Sequence, residues 1–225
     1  MNNRLLKIIS EKGFKKISNL NILIVGVGGV GGYALESLIR TGVSNITIID
    51  NDIIEESNLN RQIISLNSTL NKDKVLVAKE RCLDINSKCN ITTYKTFLDK
   101  DTIHNINYKS FDYIIDACDT ITTKVLLIKE ALNNHIKIIS CMGTGNRFNP
   151  SNLKITKISK TYNDPLAKVM RKLLKAEGIK DALVCWSSEL PIKTNDRTPG
   201  SAIFVPATAG LLISSFIIQE TIKDA

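Results

Sequence analysis

Three groups in this sequence have the chemistry to act together on a phosphate ester: the guanidinium of Arg61, the amine of Lys74 and the carboxylate of Asp119. Arg61 sits in Asn58-Leu59-Asn60-Arg61-Gln62, a run of amides around one cation. Lys74 opens a helical pattern, and Asp119 ends Asp116-Ala117-Cys118-Asp119 after an apolar run. Cations offset charge on phosphoryl oxygens, and a carboxylate holds Mg²⁺ beside a triphosphate. Each group alone reads more readily as a solvated surface charge than as a ligand contact. The combination gains weight because all three fall at strand ends or helix starts, on the edge where open parallel sheets bind ligands.

What these groups would act on is set by Val25-Gly26-Val27-Gly28-Gly29-Val30-Gly31-Gly32, between the apolar run 22–25 and a helical pattern from Tyr33 to Arg40. Strand, tight turn and helix N-terminus in that order cradle phosphate: the glycines let backbone approach the anion, and unpaired N–H groups bind it. Asp50 closes the next apolar run, where a carboxylate accepts hydrogen bonds from ribose hydroxyls. Alone, Gly26-x-Gly28-x-x-Gly31 with Asp50 favours a dinucleotide; Arg61, Lys74 and Asp119 turn the reading toward ATP. The segment 51–71 between them is long, polar and without evident secondary structure, which marks a functional or a disordered loop.

The elements that must position these groups alternate. Strands are expected at 21–25, 45–50, 91–94, 113–116 and 136–140, and helices at 31–40, 72–86, 99–106 and 122–134. This pattern predicts an α/β, Rossmann-like doubly wound, mainly parallel sheet. After Gly143-Thr144-Gly145 the pattern becomes mixed: strands at 153–158, 182–187 and 202–205, a basic helix at 165–176 and a closing helix at 206–222. A short amphipathic helix within 4–17, ending between Gly13 and Ser18, precedes the first strand and is expected to lie outside the core, free to reach a partner subunit. With no strong composition break, one domain is expected over 1–225, its nucleotide-binding core at about 18–145 and its substrate side at about 146–225.

The chain has 225 residues, 43% hydrophobic and 23% charged, with a formal net charge of +8. That charge is compatible with a polyanionic partner and equally with basic drift. Five cysteines form no CxxC pair, so paired zinc knuckles are excluded, no structural zinc is expected, and a reducing cytoplasm suits them. The N-terminus lacks the apolar region of a signal peptide. The most apolar stretch, 202–218, is interrupted by Pro206 and Gly210 and is expected to fall short of a transmembrane segment. His104 and His135 are expected in helices away from the glycine loop, and Cys185, beside Trp186 in an apolar strand, as a structural residue.

GxGGxG, the aspartate after the second strand, NxNRQ, a helix-opening Lys and DxxD together resemble the ubiquitin-activating (E1-like, ThiF/MoeB) adenylating superfamily, over essentially the whole chain. Lys160-Thr161-Tyr162-Asn163-Asp164-Pro165-Leu166-Ala167-Lys168, the helix from Arg171 to Gly178, Ser187-Ser188-Glu189 and Gly200 to Pro206 resemble its tRNA threonylcarbamoyladenosine dehydratase branch. The resemblance implies an E1-like fold, with Gly26, Gly28, Gly29 and Gly31 lining ATP and Asp50 on the ribose. It implies that Asn58, Arg61 and Lys74 contact the triphosphate, Asp119 holds Mg²⁺, and Arg4 reaches the nucleotide of the other subunit of a homodimer. The implied enzyme is an ATP-dependent adenylating ligase, or cyclase, that converts N6-threonylcarbamoyladenosine in tRNA to its cyclic, dehydrated form. A cysteine desulfurase-type sulfur-relay partner is a further implication. Lys160, Lys168, Arg171, Lys172 and Lys175, with Lys154, Lys157 and Lys180, would face tRNA phosphates, opposed only by Asp164 and Glu177, while Tyr162 and Trp186 could stack on a base. Two other readings remain at this point: adenylation of a ubiquitin-like sulfur carrier, and a non-catalytic nucleotide-binding RNA adaptor.

Overall fold

The computed structural model describes residues 4–196 and 198–223. Among them, β1 (Asn21–Val25), β2 (Asn45–Ile49), β3 (Asn90–Tyr94), β4 (Tyr113–Asp116), β5 (Lys137–Cys141), β6 (Leu153–Lys157) and β7 (Leu183–Ser187) form one sheet in the order β3-β2-β1-β4-β5-β7-β6. All neighbours are parallel except β6 on β7. Six helices flank it among the described residues: α1 (Glu11–Ser18), α2 (Gly31–Thr41), α3 (Lys74–Ile85), α4 (Ile121–Asn133), α5 (Pro165–Ala176) and α6 (Phe204–Ile222).

Strand β1 shows why both faces are covered. Its Ile22 and Ile24 join the core beneath α2, α3 and α6, while Leu23 and Val25 join the core beneath α4 and α5. Alternate residues point to opposite faces, so an apolar run must be covered twice, as parallel sheets are. The chain leaves β1 for β2 on one side and later returns to β4 on the other. The crevice at this reversal, at the carboxyl ends of the strands, is where such sheets take ligands.

Helix α6 closes one face by lying unusually close to α2. A Cβ on Gly210 would stand 2.3 Å from the Val30 carbonyl oxygen and 2.8 Å from the Ala34 nitrogen, both backbone of the facing segment. One turn on, Ser37 Oγ and Ser214 Oγ share a 2.5 Å hydrogen bond. With 19 residues, α6 is long and apolar enough to cross a bilayer by length and composition alone, a test that buried core helices also pass. Here Val205, Ala209, Ile213 and Ile217 are buried in the core.

Several expected elements differ. The segment 202–205 is not a strand: α6 starts at Phe204, because β7 already pairs with β5 and Pro206, in the first helical turn, has no N–H to leave unpaired. The helix expected at 99–106 shrinks to a 3₁₀ turn, Ile103–Asn105. Asp99 takes the N–H groups of Asp101 and Thr102 on its side chain, and such local bonds compete with a helix. The N-terminal helix breaks into a 3₁₀ turn, Leu5–Lys7, and α1, whose cap Ser10 accepts from the Gly13 nitrogen. Nor does α1 lie free: Ile17 is fully buried and Phe14 packs where a Cβ on Gly42 would stand. His104 sits in the 3₁₀ turn, and His135 follows α4 at φ 57°.

Helix propensity alone makes Gly210→Ala stabilising by about 1 kcal/mol. The backbone contact reverses the sign: we expect a loss of about 1–3 kcal/mol, read from the urea midpoint, and a raised midpoint would refute the close α2–α6 approach.

Candidate active site

A cavity of about 440 Å³ opens at the carboxyl ends of β1, β2, β4 and β5. Gly26, Gly28, Gly29, Asp50, Arg61, Lys74 and Asp119 all line it. Gly26 adopts φ 87°, and a Cβ there would stand 2.8 Å from the Ala117 carbonyl oxygen, so the turns after β1 and β4 touch backbone to backbone. Gly31 is not on the cavity wall: its place is against the Gly26 carbonyl, 1.8 Å from where its Cβ would be. Behind the loop, α2 begins at Gly31 with no side chain capping its first turn. Uncapped N–H groups with the helix dipole behind them favour an anion.

Asp50, just past β2, accepts from Val27 N at 2.8 Å and Asp52 N at 2.9 Å, so the carboxylate also holds the glycine turn in shape. Burial pushes its carboxyl above the usual aspartate range, outweighing those two bonds and the attraction of Lys74. Lys74 is the first residue of α3, buried, with Nζ 2.8 Å from Asp52 Oδ2. Arg61 donates from Nη1 to Ser57 O at 2.8 Å and to Asn60 Oδ1 at 2.9 Å. Asn58 lies behind Lys74 in a smaller adjoining cavity, where its Oδ1 accepts from Glu55 N. The polar loop 51–71 thus has order of its own: 3₁₀ turns at Glu56–Asn58 and Asn67–Thr69, and a bridge from Ile53 to Asp73. Arg4 is exposed and not among the cavity-lining residues.

Asp119 is exposed on the cavity wall, where its carboxylate accepts a 3.4 Å contact from the Thr120 hydroxyl. Among the described residues, no group of three or more His, Cys, Asp or Glu could hold a metal by itself. Mg²⁺ needs none, since it keeps its waters and is bound by one or two carboxylates plus substrate phosphates. Asp119 fits that donor set.

The cavity also has walls that the sequence reading did not assign. Thr96, Phe97 and Leu98 follow β3; Met142, Gly143, Thr144 and Gly145 follow β5; Pro199 and Ser201 come from the approach to α6 and Pro206 from its first turn. The readable signal for the first group was Phe97, an aromatic residue three positions past the end of β3. Two buried ion pairs were also missed. Lys124 Nζ lies 3.1 Å from Asp116 Oδ1. Burial acts to lower the Lys124 pKa, but Asp116 foremost, with Cys118 and Cys141, holds it above the usual lysine value. Lys124 stands i−3 and i−4 from buried Leu127 and Ile128, a cation on an apolar stripe, which was a readable signal.

The second pair is Arg147 with Asp164, at 3.5 Å. Arg147 also donates to the carbonyls of Ser187, Glu189 and Asn163, tying three segments together. Asp164 caps α5 through Ala167 N. Asp164 is therefore not a charge opposing the basic face, and Glu177 pairs with Lys129 at 2.6 Å. Lys160, Lys168, Lys172 and Lys175 are exposed, but Arg171 turns back onto the Thr161 carbonyl and hydroxyl. Trp186 is buried in the core, with exposed Tyr162 meeting it edge-on at 4.8 Å. Cys185 is fully buried, and its thiol is pushed up by a hydrogen bond with Cys141 and by burial, which leaves no thiolate for covalent chemistry.

Residues 1–223 match the ThiF family. A tRNA threonylcarbamoyladenosine dehydratase of Bacillus subtilis is 38% identical across 96% of this chain and 92% of its own length. The Escherichia coli dehydratase is 34% identical across 76% of this chain and 64% of its own length. The crystal structure of the Escherichia coli dehydratase in complex with ATP superposes with a TM-score of 0.91 at 30% identity, covering 97% of this chain and 92% of that one. Escherichia coli MccB, at 19% identity and a TM-score of 0.69, shares the fold.

Because folding raises the Asp50 pKa, the proton is bound more tightly in the folded state, and the stability tied to it is full below the ordinary value of 3.8 and lost as pH rises through the folded value. The stability of the native sequence relative to Asp50→Ala should therefore be larger at pH 4 than at pH 7. Urea unfolding at both pH values checks this; an equal or opposite difference would mean the carboxylate is not desolvated.

Proposed function

The chain belongs to the ThiF family, and we propose that it performs the ATP-dependent dehydration of N6-threonylcarbamoyladenosine in tRNA, the reaction for which its relatives are named. The observation that carries this reading is the single cavity gathering Gly26, Gly28, Gly29, Asp50, Arg61, Lys74 and Asp119 from distant segments, in a fold matching an ATP-bound dehydratase. ATP occupies that cavity, its phosphates against the glycine turn and the α2 N-terminus and its ribose on Asp50.

The substrate carboxylate attacks the α-phosphorus, pyrophosphate leaves, and an acyl-adenylate forms. The threonylcarbamoyl group then closes on its own activated carbonyl and expels AMP, so the nucleoside loses the elements of one water. Both nucleophiles belong to the substrate, which is why a site with no reactive cysteine suffices. The protein supplies position and charge. Arg61 swings from its Ser57 and Asn60 partners onto phosphoryl oxygens, and Lys74 exchanges its Asp52 contact for the same role, with Asn58 behind it. Magnesium, when bound, supplies further neutralisation of phosphate charge, and Asp119 is the residue that would hold it.

Lys168, Lys172 and Lys175, at i, i+4 and i+7 on α5, present three exposed ammonium groups to backbone phosphates, with Lys160 just before the helix. We place the site at a homodimer interface, where Arg4 of one protomer approaches the nucleotide of its partner. The enzyme works as one E1-like unit in the cytoplasm, where its tRNA is. A sulfur-relay partner would not draw on the thiols of Cys82, Cys89, Cys118 and Cys185, which are all pushed up, first by burial in the first three.

With ATP, Mg²⁺ and threonylcarbamoylated tRNA, the purified protein should yield a nucleoside lighter by one water; unchanged nucleoside, with a carrier protein adenylated instead, would refute the assignment. Asp119→Ala should lower turnover at least ~100-fold with an unchanged melting temperature, and a near-native rate removes Asp119 from its role. Replacing Lys168, Lys172 and Lys175 by Ala should reduce the slope of log affinity for tRNA against log salt by about 3, and an unchanged slope would place the tRNA on another face.

A further inference from the structure

The buried cation on α4 takes no part in the chemistry above, yet its contacts are specific. Lys124, with 1% side-chain exposure, sends Nζ to Asp116 Oδ1 at 3.1 Å and to the Cys141 carbonyl at 2.7 Å. Asp116, fully buried at the end of β4, also accepts from Ser140 Oγ at 2.5 Å, from Cys118 N at 3.3 Å and from the Cys118 thiol at 3.1 Å. Asp116 and Ser140 are register partners on adjacent parallel strands. Each strand then runs straight into the cavity wall: β4 into Ala117, Cys118, Asp119 and Thr120, β5 into Met142, Gly143, Thr144 and Gly145. One ammonium and one carboxylate thus join two strand ends whose continuations line the same cavity.

We propose that Lys124 is a positioning residue for adenylation: with Asp116 it fixes the Asp119 loop against the 141–145 lip, so that phosphate and attacking carboxylate meet at the reacting distance. This rests on the nucleotide reading above. A purely structural ion pair would behave differently. Burying two charges costs desolvation, and replacing both by apolar residues of similar size is often neutral or stabilising. An apolar pair, however, cannot bond the Cys141 carbonyl or the Cys118 amide. Stability and positioning therefore separate in one variant.

The experiment compares the native protein with Lys124→Met and with Asp116→Leu combined with Lys124→Met. Four quantities are read: melting temperature, ATP affinity by equilibrium titration, kcat for AMP release on modified tRNA, and amide hydrogen exchange in 117–120 and 141–145. Lys124→Met should melt lower, and the double variant should regain the native melting temperature. Both should lose at least ~50-fold in kcat, since misplacement by about 1 Å costs 10²-fold. ATP affinity should stay within about threefold, and both loops should exchange faster. A double variant that regains kcat together with stability, or loops with native exchange, overturns the proposal. If the double variant does not fold, Ser140→Ala decides: it should lower kcat about fivefold at a native melting temperature, and a native kcat overturns the proposal. A native protein that binds no ATP would overturn the nucleotide reading first, and this inference with it.

Discussion

The turns after β1 and β4 meet backbone to backbone, and the active site depends on that contact. Gly26 can approach Ala117 only because it has no side chain and takes a positive φ, and Gly31 can sit on the Gly26 carbonyl for the same steric reason. This closeness puts the α2 N-terminus, the Asp50 carboxylate and the Asp119 loop around one cavity. A Cβ at Gly26 would push the turns after β1 and β4 apart, and one at Gly31 would collide with the Gly26 carbonyl. Asp50 reinforces the geometry by holding the Val27 and Asp52 amides, so the group we propose for the ribose is also part of the turn's scaffold.

Around that contact the chain spends buried charge to hold loops still. Lys124–Asp116 lies behind the 117–120 wall of the cavity, and Arg147–Asp164 fastens the segments around 163 and 187–189. Fully buried pairs gain little net stability, because desolvation offsets their attraction. Their use here is geometric: each cation ends on backbone carbonyls that an apolar side chain could not hold. The stretch Lys160 to Lys168, the most specific mark of the dehydratase branch, is accordingly half internal. Thr161, Asp164 and Ala167 are buried, while Lys160, Tyr162 and Lys168 face out.

Where local signals were strong the sequence was legible. Apolar runs between turn residues placed β1 and β4 to the residue, and the basic pattern at 165–176 placed α5 likewise, with Pro165 in its first turn; the Asp164 cap emerged only in the structure. Local signals also misled. The pattern at 99–106 is helical, but the Asp99 side chain captures its backbone donors first. The run at 202–205 is apolar and β-branched, but the sheet position it would need is already taken by β7.

By itself the sequence determined the parallel α/β architecture, the phosphate-cradling turn and the set of charges able to act on a nucleotide, since periodicity, glycine spacing and residue type are local properties. Only the tertiary structure decided which of those residues share a wall. It put Asn58 behind Lys74, Gly31 beneath the turn and Arg171 onto Thr161, and it brought Phe97, the 142–145 lip, Pro199 and Ser201 into the cavity. It also paired Lys124 with Asp116 and Arg147 with Asp164. The reason is physical: a buried charge must find its partner in space, and that partner is set by how helices pack on the sheet, which no local pattern encodes.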